Sequence, residues 1–371
     1  MKLSTSKTEL QTVLQKLSKA TPSRSTLPIL NSVLFTATNE GVLLRATDLE
    51  ITIIVPLEAS LEETGSAAIP LQTLLEITNE MPETRITISV NAQNKVQLIT
   101  DLGVYDLMGK PAEEFPATPD LDNHKALTLK AEIVRKIIEN TSFAVSKDEL
   151  KPALTGVLFQ FGDDRLTAVA TDGHRLVRYI RNDYQPDTFF GDIIVPRKFL
   201  GLLGVFLSEV DEINARIGEK HLTATLGRDT IITRLIDERF PDYESVIPRD
   251  NEKRLEVERD SILGAVRRVS IFSNKSTHQV ALRIVGGQGT ITTEDPEKAS
   301  KAQEKLTASY TGDDLTIGYN ANYLKDILAH IKSDKIIIDL KTPISAGLFF
   351  PYEQEEFSNL TMLLMPIRLN D

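Results

Sequence analysis

The sequence predicts an α+β protein built from three similar domains in tandem, each with two helices amid many short strands. The main observation is an internal repeat, because positions 27–35 and 46–48 match positions 151–159 and 170–172 at a constant offset of 124. The shared residues are Pro28, Leu30, Val33, Leu34, Phe35, Thr47 and Asp48, which recur as Pro152, Leu154, Val157, Leu158, Phe159, Thr171 and Asp172. A repeat of this length is domain-sized, so each copy can bury its own core.

A third, fainter copy completes the series. The dipeptides Phe115-Pro116, Phe240-Pro241 and Met365-Pro366 lie 125 positions apart, each near the end of an apolar stretch. Three units of this size fill the 371 residues almost without remainder. We therefore predict domains at 1–121, 122–248 and 249–371, joined by the polar connectors 120–125 and 248–254.

Each repeat contains two segments with helical periodicity. In the first, Leu10, Val13, Leu14 and Leu17 form one apolar stripe at the spacing of an amphipathic helix. The segments predicted as helices are 6–20, 71–80, 129–140, 197–208, 261–269 and 323–331.

Three other local patterns are informative. Alternation at 85–90 and 95–98 predicts two strands joined by a turn. The run at 286–289 is glycine-rich but lacks the Gly-Lys-Ser/Thr of a phosphate loop, so we interpret it as a hairpin turn. The acidic, alanine-containing span 294–304 is predicted to be a solvated loop or a short helix.

Composition excludes several classes of site and location. The sequence contains no cysteine, which excludes disulfides and thiolate chemistry, and no histidine spacing typical of a metal site is found, so we expect neither metal nor cofactor. The longest apolar run, 199–207, is too short to span a bilayer, and the N-terminus lacks the apolar core of a signal peptide. We expect a cytoplasmic protein without membrane contact.

The charge distribution leaves two interpretations open. A net charge of −11 argues at first sight against a nucleic-acid partner. The predicted helices, however, contain more basic than acidic residues, so an acidic molecule could still present a basic face to phosphates. The alternative is that these are ordinary solvated helix faces.

The densest group of reactive side chains is Asp172, His174 and Arg175, in the segment Thr-Asp-Gly-His-Arg-Leu at 171–176. A hydrolase could use the acid and the imidazole, but no Gly-x-Ser-x-Gly elbow accompanies them, and the equivalent Asp-Leu-Glu-Ile at 48–51 has neither histidine nor arginine. A structural hydrogen-bonding role and a partner-binding role are the other interpretations, and we favour partner binding.

The apolar C-terminal stretch 363–369 is predicted to dock against the body, because termini that fray are usually polar. One interpretation is a final edge strand that completes a sheet. The other is an adaptable, methionine-containing wall of a peptide groove.

Taken together, these motifs resemble the bacterial DNA polymerase III beta subunit family, the replicative sliding clamps. The resemblance covers the whole chain and rests on the three repeats, Arg-Ser-Thr-Leu-Pro-Ile-Leu at 24–30, Ala-Thr-Asp-Gly-His-Arg-Leu at 170–176, Arg-Phe-Pro-Asp-Tyr at 239–243 and Met-Pro-Ile-Arg-Leu at 365–369. It implies the DNA-clamp fold, with two helices per domain packed on antiparallel sheets. It also implies a head-to-tail homodimer that closes a six-domain ring around double-stranded DNA, without sequence preference.

The implied function is non-catalytic. The ring would tether the replicative polymerase as a processivity factor, and its loose contacts with phosphates would let it slide. The implied partners are the DNA polymerase III alpha subunit, the clamp loader and other repair and replication proteins that carry a clamp-binding motif. The implied location is the cytoplasm, at the nucleoid during replication.

The resemblance also implies which residues of this sequence contact DNA, a second copy and partner peptides. The DNA contacts would be Arg24, Arg197 and Lys198, with Lys7, Arg135 and Lys136 as further candidates. The dimer interface would join Tyr105 and Leu107 to Ile271 and Phe272 of a second copy, although all four could instead be internal core residues. The partner-peptide groove between the second and third domains would comprise Leu154, Thr171, Gly173, His174, Arg175, Leu176, Pro241, Val246, Ser345, Leu363, Met365, Pro366, Ile367 and Arg368.

Two departures from the family pattern affect the groove. Ser245 stands where some members have a basic residue, and Asn370-Asp371 extend beyond the usual terminal Arg-Leu. Either could change peptide preference. Besides the clamp, the hydrolase that uses Asp172 and His174 and a protein-interaction scaffold that never meets DNA remain as alternatives.

Overall fold

The computed structural model describes residues 1–22, 26–119, 124–184 and 189–369. The described residues form two compact units, one of residues 1–132 with 202–235 and the other of residues 133–201 with 236–371. The predicted domain boundaries at 121 and 248 stay a prediction, and residue 121 itself lies outside the described part of the chain.

In the described part of the chain, six α-helices lie where the apolar stripes predict them, two in each repeat. They are α1 (Lys7–Leu17), α2 (Leu71–Glu80), α3 (Ala131–Thr141), α4 (Arg197–Phe206), α5 (Arg259–Val269) and α6 (Ala321–His330). The stripe of α1 is buried at Leu10, Val13, Leu14 and Leu17, and the Ser6 hydroxyl accepts a hydrogen bond from the Glu9 amide to cap the first turn.

Twenty-six described strands form four sheets, and every pairing between them is antiparallel. Sheet A has the order β5 (Ser60–Glu63), β1 (Lys2–Ser6), β7 (Arg85–Val90), β8 (Lys95–Thr100) and β9 (Gly103–Met108). Sheet D has the order β21 (Ser300–Leu306), β20 (Gln288–Asp295), β19 (Gln279–Val285) and β23 (Leu315–Asn320).

The two larger sheets each contain strands of two repeats. Sheet B has the order β10 (Lys125–Lys130), β15 (Glu212–Ile217), β16 (His221–Leu226), β17 (Asp229–Arg234), β4 (Ile51–Leu57), β3 (Gly41–Thr47), β2 (Ser32–Thr38) and β6 (Gly65–Pro70). Sheet C has the order β14 (Gly191–Pro196), β11 (Gly156–Phe161), β12 (Leu166–Thr171), β13 (Arg175–Arg181), β26 (Ser358–Leu364), β25 (Gly347–Pro351), β24 (Lys335–Leu340), β18 (Lys253–Glu258) and β22 (Ala308–Thr311).

The repeats are joined through equivalent strands. In sheet B, β4 of the first repeat pairs with β17 of the second, with Ile53 opposite Ile231. In sheet C, β13 of the second repeat pairs with β26 of the third, with Val177 opposite Met362. Strands β4 and β13 occupy the same place in their repeats, as do β17 and β26. The two connections are therefore two copies of one joint.

The structure confirms the α+β architecture with two helices in each repeat. The predicted hairpin turn is also confirmed, because Gly286 and Gly287, at φ +55° and +79°, connect β19 to β20 in the left-handed conformation that a tight hairpin requires.

The prediction for residues 294–304 is wrong. The span contains the end of β20, a short 3₁₀ turn at Pro296–Lys298 and the first five residues of β21, whose exposed positions alternate with half-buried ones. The sequence does not show this alternation because the half-buried positions hold Ser300, Ala302 and Glu304 instead of large apolar residues, as an edge strand permits.

Candidate functional site

The turn between β12 and β13, here called the His174 loop (171–175), is shaped by one carboxylate. Asp172 Oδ1 accepts hydrogen bonds from the amides of His174, at 2.9 Å, and Arg175, at 3.0 Å. Gly173 adopts a φ of +89°, which favours glycine. The turn leaves the His174 side chain exposed. The Asp172 carboxylate therefore stabilises the turn through two backbone amides and the guanidinium of Arg175.

The first repeat forms the same turn without the same chemistry. Asp48 Oδ1 accepts from the amides of Glu50 and Ile51, and Leu49 takes the left-handed conformation at φ +77°. Leu49 and Glu50 stand where the second repeat has Gly173 and His174. The turn is therefore a feature of the repeat, and the imidazole and guanidinium are additions of the second copy.

Arg175 ties the His174 loop to the third repeat. Its guanidinium donates to Asp172 Oδ2 at 3.1 Å, to Asp326 Oδ2 at 2.6 Å and to the carbonyl oxygen of Phe143 at 2.7 Å. The group lies 5.1 Å from the ring centroid of Phe143 and 4.9 Å from that of Tyr323. With 7 % of the residue exposed, Arg175 positions the loop, and its hydrogen bonds are made within the chain.

Two ring stacks surround this guanidinium. His174 stacks on Tyr323 with centroids 5.5 Å apart, and Phe143 stacks on His330 at 3.8 Å. Burial raises the pKa of Tyr323 above its ordinary value, with a further upward contribution from Asp172, so its hydroxyl stays protonated at neutral pH. The imidazole of His174 therefore lies against an uncharged aromatic face of α6.

Replacing Arg175 by alanine should lower the free energy of unfolding by about 2 to 4 kcal/mol, because Asp172 and the Phe143 carbonyl lose their partner inside the protein. Chemical denaturation of the purified variant measures the change. Arg283→Ala, at an exposed position of β19, is the matched control and should stay within about 0.5 kcal/mol of the wild type. An equal loss of unfolding free energy in the two variants would contradict a stabilising role for the Arg175 hydrogen bonds.

The C-terminal stretch docks against the body, as predicted. β26 ends at Leu364 and lies between β13 and β25, so it is an inner strand and the edge-strand interpretation is wrong. Beyond it, the segment 365–369, here called the tail, is held at two points. The Met365 amide donates to the His174 carbonyl, and the Ile367 amide donates to the Gly318 carbonyl, both at 2.9 Å.

An apolar cluster underlies these elements. It contains residues of the second and third repeats, with Leu176 and Leu363 each 2 % exposed. The other buried members are Leu158, Val169, Ile194, Tyr243, Ala346 and Leu348. Leu176 and Leu363, two of the three leucines predicted as groove residues, are thus core residues with little surface left for a ligand.

The remaining residues of the predicted groove differ in exposure. Val246 and Met365 are 52 % and 43 % exposed and offer apolar surface. The exposed members are Gly173, His174, Pro241, Val246, Met365 and Arg368, the half-buried ones are Leu154, Ser345, Pro366 and Ile367, and the buried ones are Thr171, Arg175, Leu176 and Leu363. Ser245 is exposed and donates to the Asp242 carbonyl, whereas Asn370 and Asp371 lie outside the described residues.

The structure adds residues that the sequence did not single out. Phe143, Tyr323, Asp326 and Gly318 contact the His174 loop or the tail. Tyr323 was visible only as part of a helical stripe, and no pattern indicated the other three.

Five of the six basic residues predicted to contact DNA lie in helices. Arg197 and Lys198 are exposed in the first turn of α4, and Arg135 is exposed on α3. Lys136 forms a 2.8 Å ion pair with Glu355, and Lys7 Nζ donates to Gln11. Arg24 lies outside the described residues.

The residues predicted at the dimer interface lie on or beside free sheet edges. Tyr105 and Leu107 are half-buried on β9, an edge strand of sheet A. Ile271 and Phe272 follow α5 and are 67 % and 46 % exposed, so they are not internal core residues of the single chain. Ser300, the first residue of the edge strand β21, donates to the Phe272 carbonyl.

Within the described residues, no group of three or more histidine or carboxylate side chains is placed to hold a metal ion. None of the described helices is both long and apolar enough to cross a membrane.

Family models of the DNA polymerase III beta subunit match nearly the whole chain. The N-terminal-domain model matches residues 1–119, the central-domain model residues 128–242 and the C-terminal-domain model residues 244–368. Three tandem copies of the clamp domain thus correspond to the three repeats.

Individual relatives match this chain over all or nearly all of their length. A beta sliding clamp of Pseudomonas aeruginosa is 31% identical over 360 residues, with 96% of each chain covered, and one of Chlamydia muridarum is 27% identical over 371 residues, with both chains covered completely. Among solved structures, a sliding clamp of P. aeruginosa bound to griselimycin has a TM-score of 0.92 at 30% identity, and one of Bacillus subtilis has 0.93 at 25%, each with full coverage of both chains.

Proposed function

Because the chain belongs to the DNA polymerase III beta subunit family, we propose that it is a DNA sliding clamp, a ring that encircles duplex DNA and tethers the replicative polymerase. Its mechanism is topological, so no bond is made or broken and the protein acts as a processivity factor without catalysis. The observation that carries this proposal is the unfinished third joint between repeats.

In two copies of the joint, both strands belong to this chain and pair with each other. In the third copy, the two strands do not pair within the chain. β21 is the equivalent of β4 and β13, and β9 is the equivalent of β17 and β26. Both are edge strands, in sheets of four and five strands. Joining β21 of one chain to β9 of another would form a nine-stranded sheet like sheet C.

This pairing joins different surfaces on the two chains, so it is head to tail, and a ring of two chains contains it twice. Ile271 and Phe272 support the assignment by analogy with a closed joint. The equivalent of Ile271 is Phe143, one residue into the 3₁₀ turn after its helix, and Phe143 stacks across the second joint on His330 at the end of α6. Ile271 and Phe272 would then pack on the second copy beside Tyr105 and Leu107.

The helices supply the proposed contacts with DNA phosphates. Arg197 and Lys198 begin α4, where the helix dipole adds to their positive charge. Together with Arg24, they are the main proposed contacts with DNA. Arg135 is a further contact. Lys136 and Lys7 would reach DNA after exchanging their present partners, Glu355 and Gln11. Contacts of this kind are independent of sequence and weaken as salt rises.

The His174 loop, the tail and the underlying apolar cluster form the proposed groove for partner peptides. Val246 and Met365 offer apolar surface to the ligand, and His174 and Arg368 offer hydrogen-bonding groups at its edge. The proposed occupants are short segments of the DNA polymerase III alpha subunit, the clamp loader and other replication and repair proteins. This function places the protein in the cytoplasm, at the nucleoid during replication.

Retention on circular DNA tests the topological mechanism. After loading on a nicked plasmid by the clamp loader, the protein should co-elute with the circle in gel filtration and leave when a restriction enzyme linearises it. A plasmid without the restriction site is the control. Equal retention on linear DNA would indicate direct binding, and no retention on either form would favour the scaffold hypothesis.

A further inference from the structure

In each repeat, the segment that follows the last strand passes over the strand that precedes the second helix. These strands are β6, β14 and β23. In the first repeat, Lys110 and Ala68 exchange two backbone hydrogen bonds, at 3.0 and 2.8 Å. In the second, the Ile236 amide donates to the Ile194 carbonyl at 3.1 Å. Ala68 and Ile194 lie at equivalent positions of β6 and β14, immediately before the second helix of their repeats. The crossing is thus a structural element of the clamp domain.

In the third repeat this position holds glycine. The Ile367 amide donates to the Gly318 carbonyl at 2.9 Å, which is the equivalent contact. A Cβ atom at Gly318 would lie 2.7 Å from the Ile367 carbonyl oxygen and 2.7 Å from Leu369 Cδ2, both shorter than van der Waals contact allows. The first two repeats have the side chains of Ala68 and Ile194 at this position, whereas the third leaves no space for a Cβ atom beneath the tail.

The glycine is required for space and not for backbone conformation. The backbone of Gly318 does not have a positive φ. The residue lies inside β23, opposite Ala281 of β19. Glycine inside a strand commonly marks a close approach of another backbone. The tail is that backbone.

The contact with Gly318 sets the position of one wall of the groove. The tail begins after Leu364, the last residue of β26. It is hydrogen-bonded to the His174 loop at Met365 and to β23 at Ile367. The side chains of Met365 and Pro366 therefore belong to a short segment that is held at both ends. Moving the Ile367 end would shift both side chains relative to the His174 loop.

We propose that Gly318 is a positioning residue for the peptide groove: it seats the tail against β23 and thereby holds Met365 and Pro366 where a partner peptide meets them. The inference rests on the proposed function of the groove. Gly318 itself lies beneath the tail and contacts no ligand in this scheme.

The test compares Gly318→Ala with the wild type. A fluorescein-labelled peptide from a DNA polymerase III alpha subunit is titrated with each protein, and anisotropy gives the affinity. Gly318→Ala should bind about tenfold or more weakly, because the added methyl group displaces the tail. Gly204→Ala is the matched control, since a Cβ atom there meets nothing within 4 Å on the exposed side of α4, and its affinity should be unchanged.

Hydrogen exchange gives a second readout that needs no peptide. The Ile367 amide should exchange faster in Gly318→Ala, because its acceptor is lost, while strand amides of sheet C keep their protection. Leu369→Ala removes the side chain that covers Gly318 without adding an atom, and should loosen the tail and weaken binding to a smaller degree. It serves as the test variant if Gly318→Ala does not fold.

The outcomes separate the two proposals. Unchanged peptide affinity and unchanged exchange at Ile367 in the folded variants would overturn the role of Gly318 and leave the groove intact. Faster exchange with weaker binding would support it. A wild-type protein that does not bind the peptide would overturn the groove and, with it, this inference.

Discussion

Replacing Ile271 and Phe272 together by alanine should convert the dimer into monomers at concentrations where the wild type is dimeric. Both side chains are exposed in the single chain, at 67 % and 46 %, and we propose that a second copy covers them. Burying their apolar surface is expected to stabilise each interface by about 2 to 4 kcal/mol. Since a ring of two chains contains the interface twice, the loss is doubled.

Sedimentation equilibrium across a dilution series measures this effect. The wild type should give about twice the 41.3 kDa chain mass, and the double variant should give the chain mass. Ile344→Ala is the matched control, because Ile344 is also 67 % exposed but lies outside the proposed interface, and it should stay dimeric. A double variant that remains dimeric at nanomolar concentration would place the interface elsewhere.

The same variant links the interface to the topological mechanism. A monomer keeps its helices and its groove, because neither depends on β9 or β21, so it should still bind partner peptides. It cannot enclose DNA, and it should therefore be lost from circular and linear plasmids alike. Retention on circles by a proven monomer would contradict the ring.

The repeat and the helix periodicity made much of the fold predictable. The stripe at Leu10, Val13, Leu14 and Leu17 is buried as expected, since amphipathic spacing depends only on neighbouring turns of one helix. Because the repeats have a constant offset, a helix or strand predicted in one copy could be predicted at the equivalent position of the next. Strand β21 (Ser300–Leu306) was missed because it is an exposed edge, where alternation does not require large apolar residues.

The site was predictable only in part, because its connections are long-range. The resemblance supplied His174, Arg175 and the tail, but no local pattern joins Arg175 to Asp326, which is 151 positions away. Nor does any pattern distinguish an arginine that contacts a ligand from one enclosed between Phe143 and Tyr323. Burial of a polar group depends on the packing of two repeats.

Deleting the seven residues from Met365 onward should abolish peptide binding and leave the dimer intact. The deletion removes four predicted groove residues, Met365 to Arg368, and releases the His174 carbonyl from its bond to the tail. We expect the affinity for an alpha-subunit peptide to fall by about 100-fold or more, equivalent to about 3 kcal/mol. Fluorescence anisotropy measures the affinity, and sedimentation measures the mass.

The fold should tolerate this deletion because β26 ends before it begins. Leu364 is the last residue of the strand, and β26 keeps its pairing with β13 on one side and β25 on the other. A shorter deletion of Asn370 and Asp371 alone is the matched control and should bind with at most a modest change. Full affinity after removal of the longer segment would show that partner peptides bind elsewhere, whereas loss of the dimer would show that the tail supports the interface.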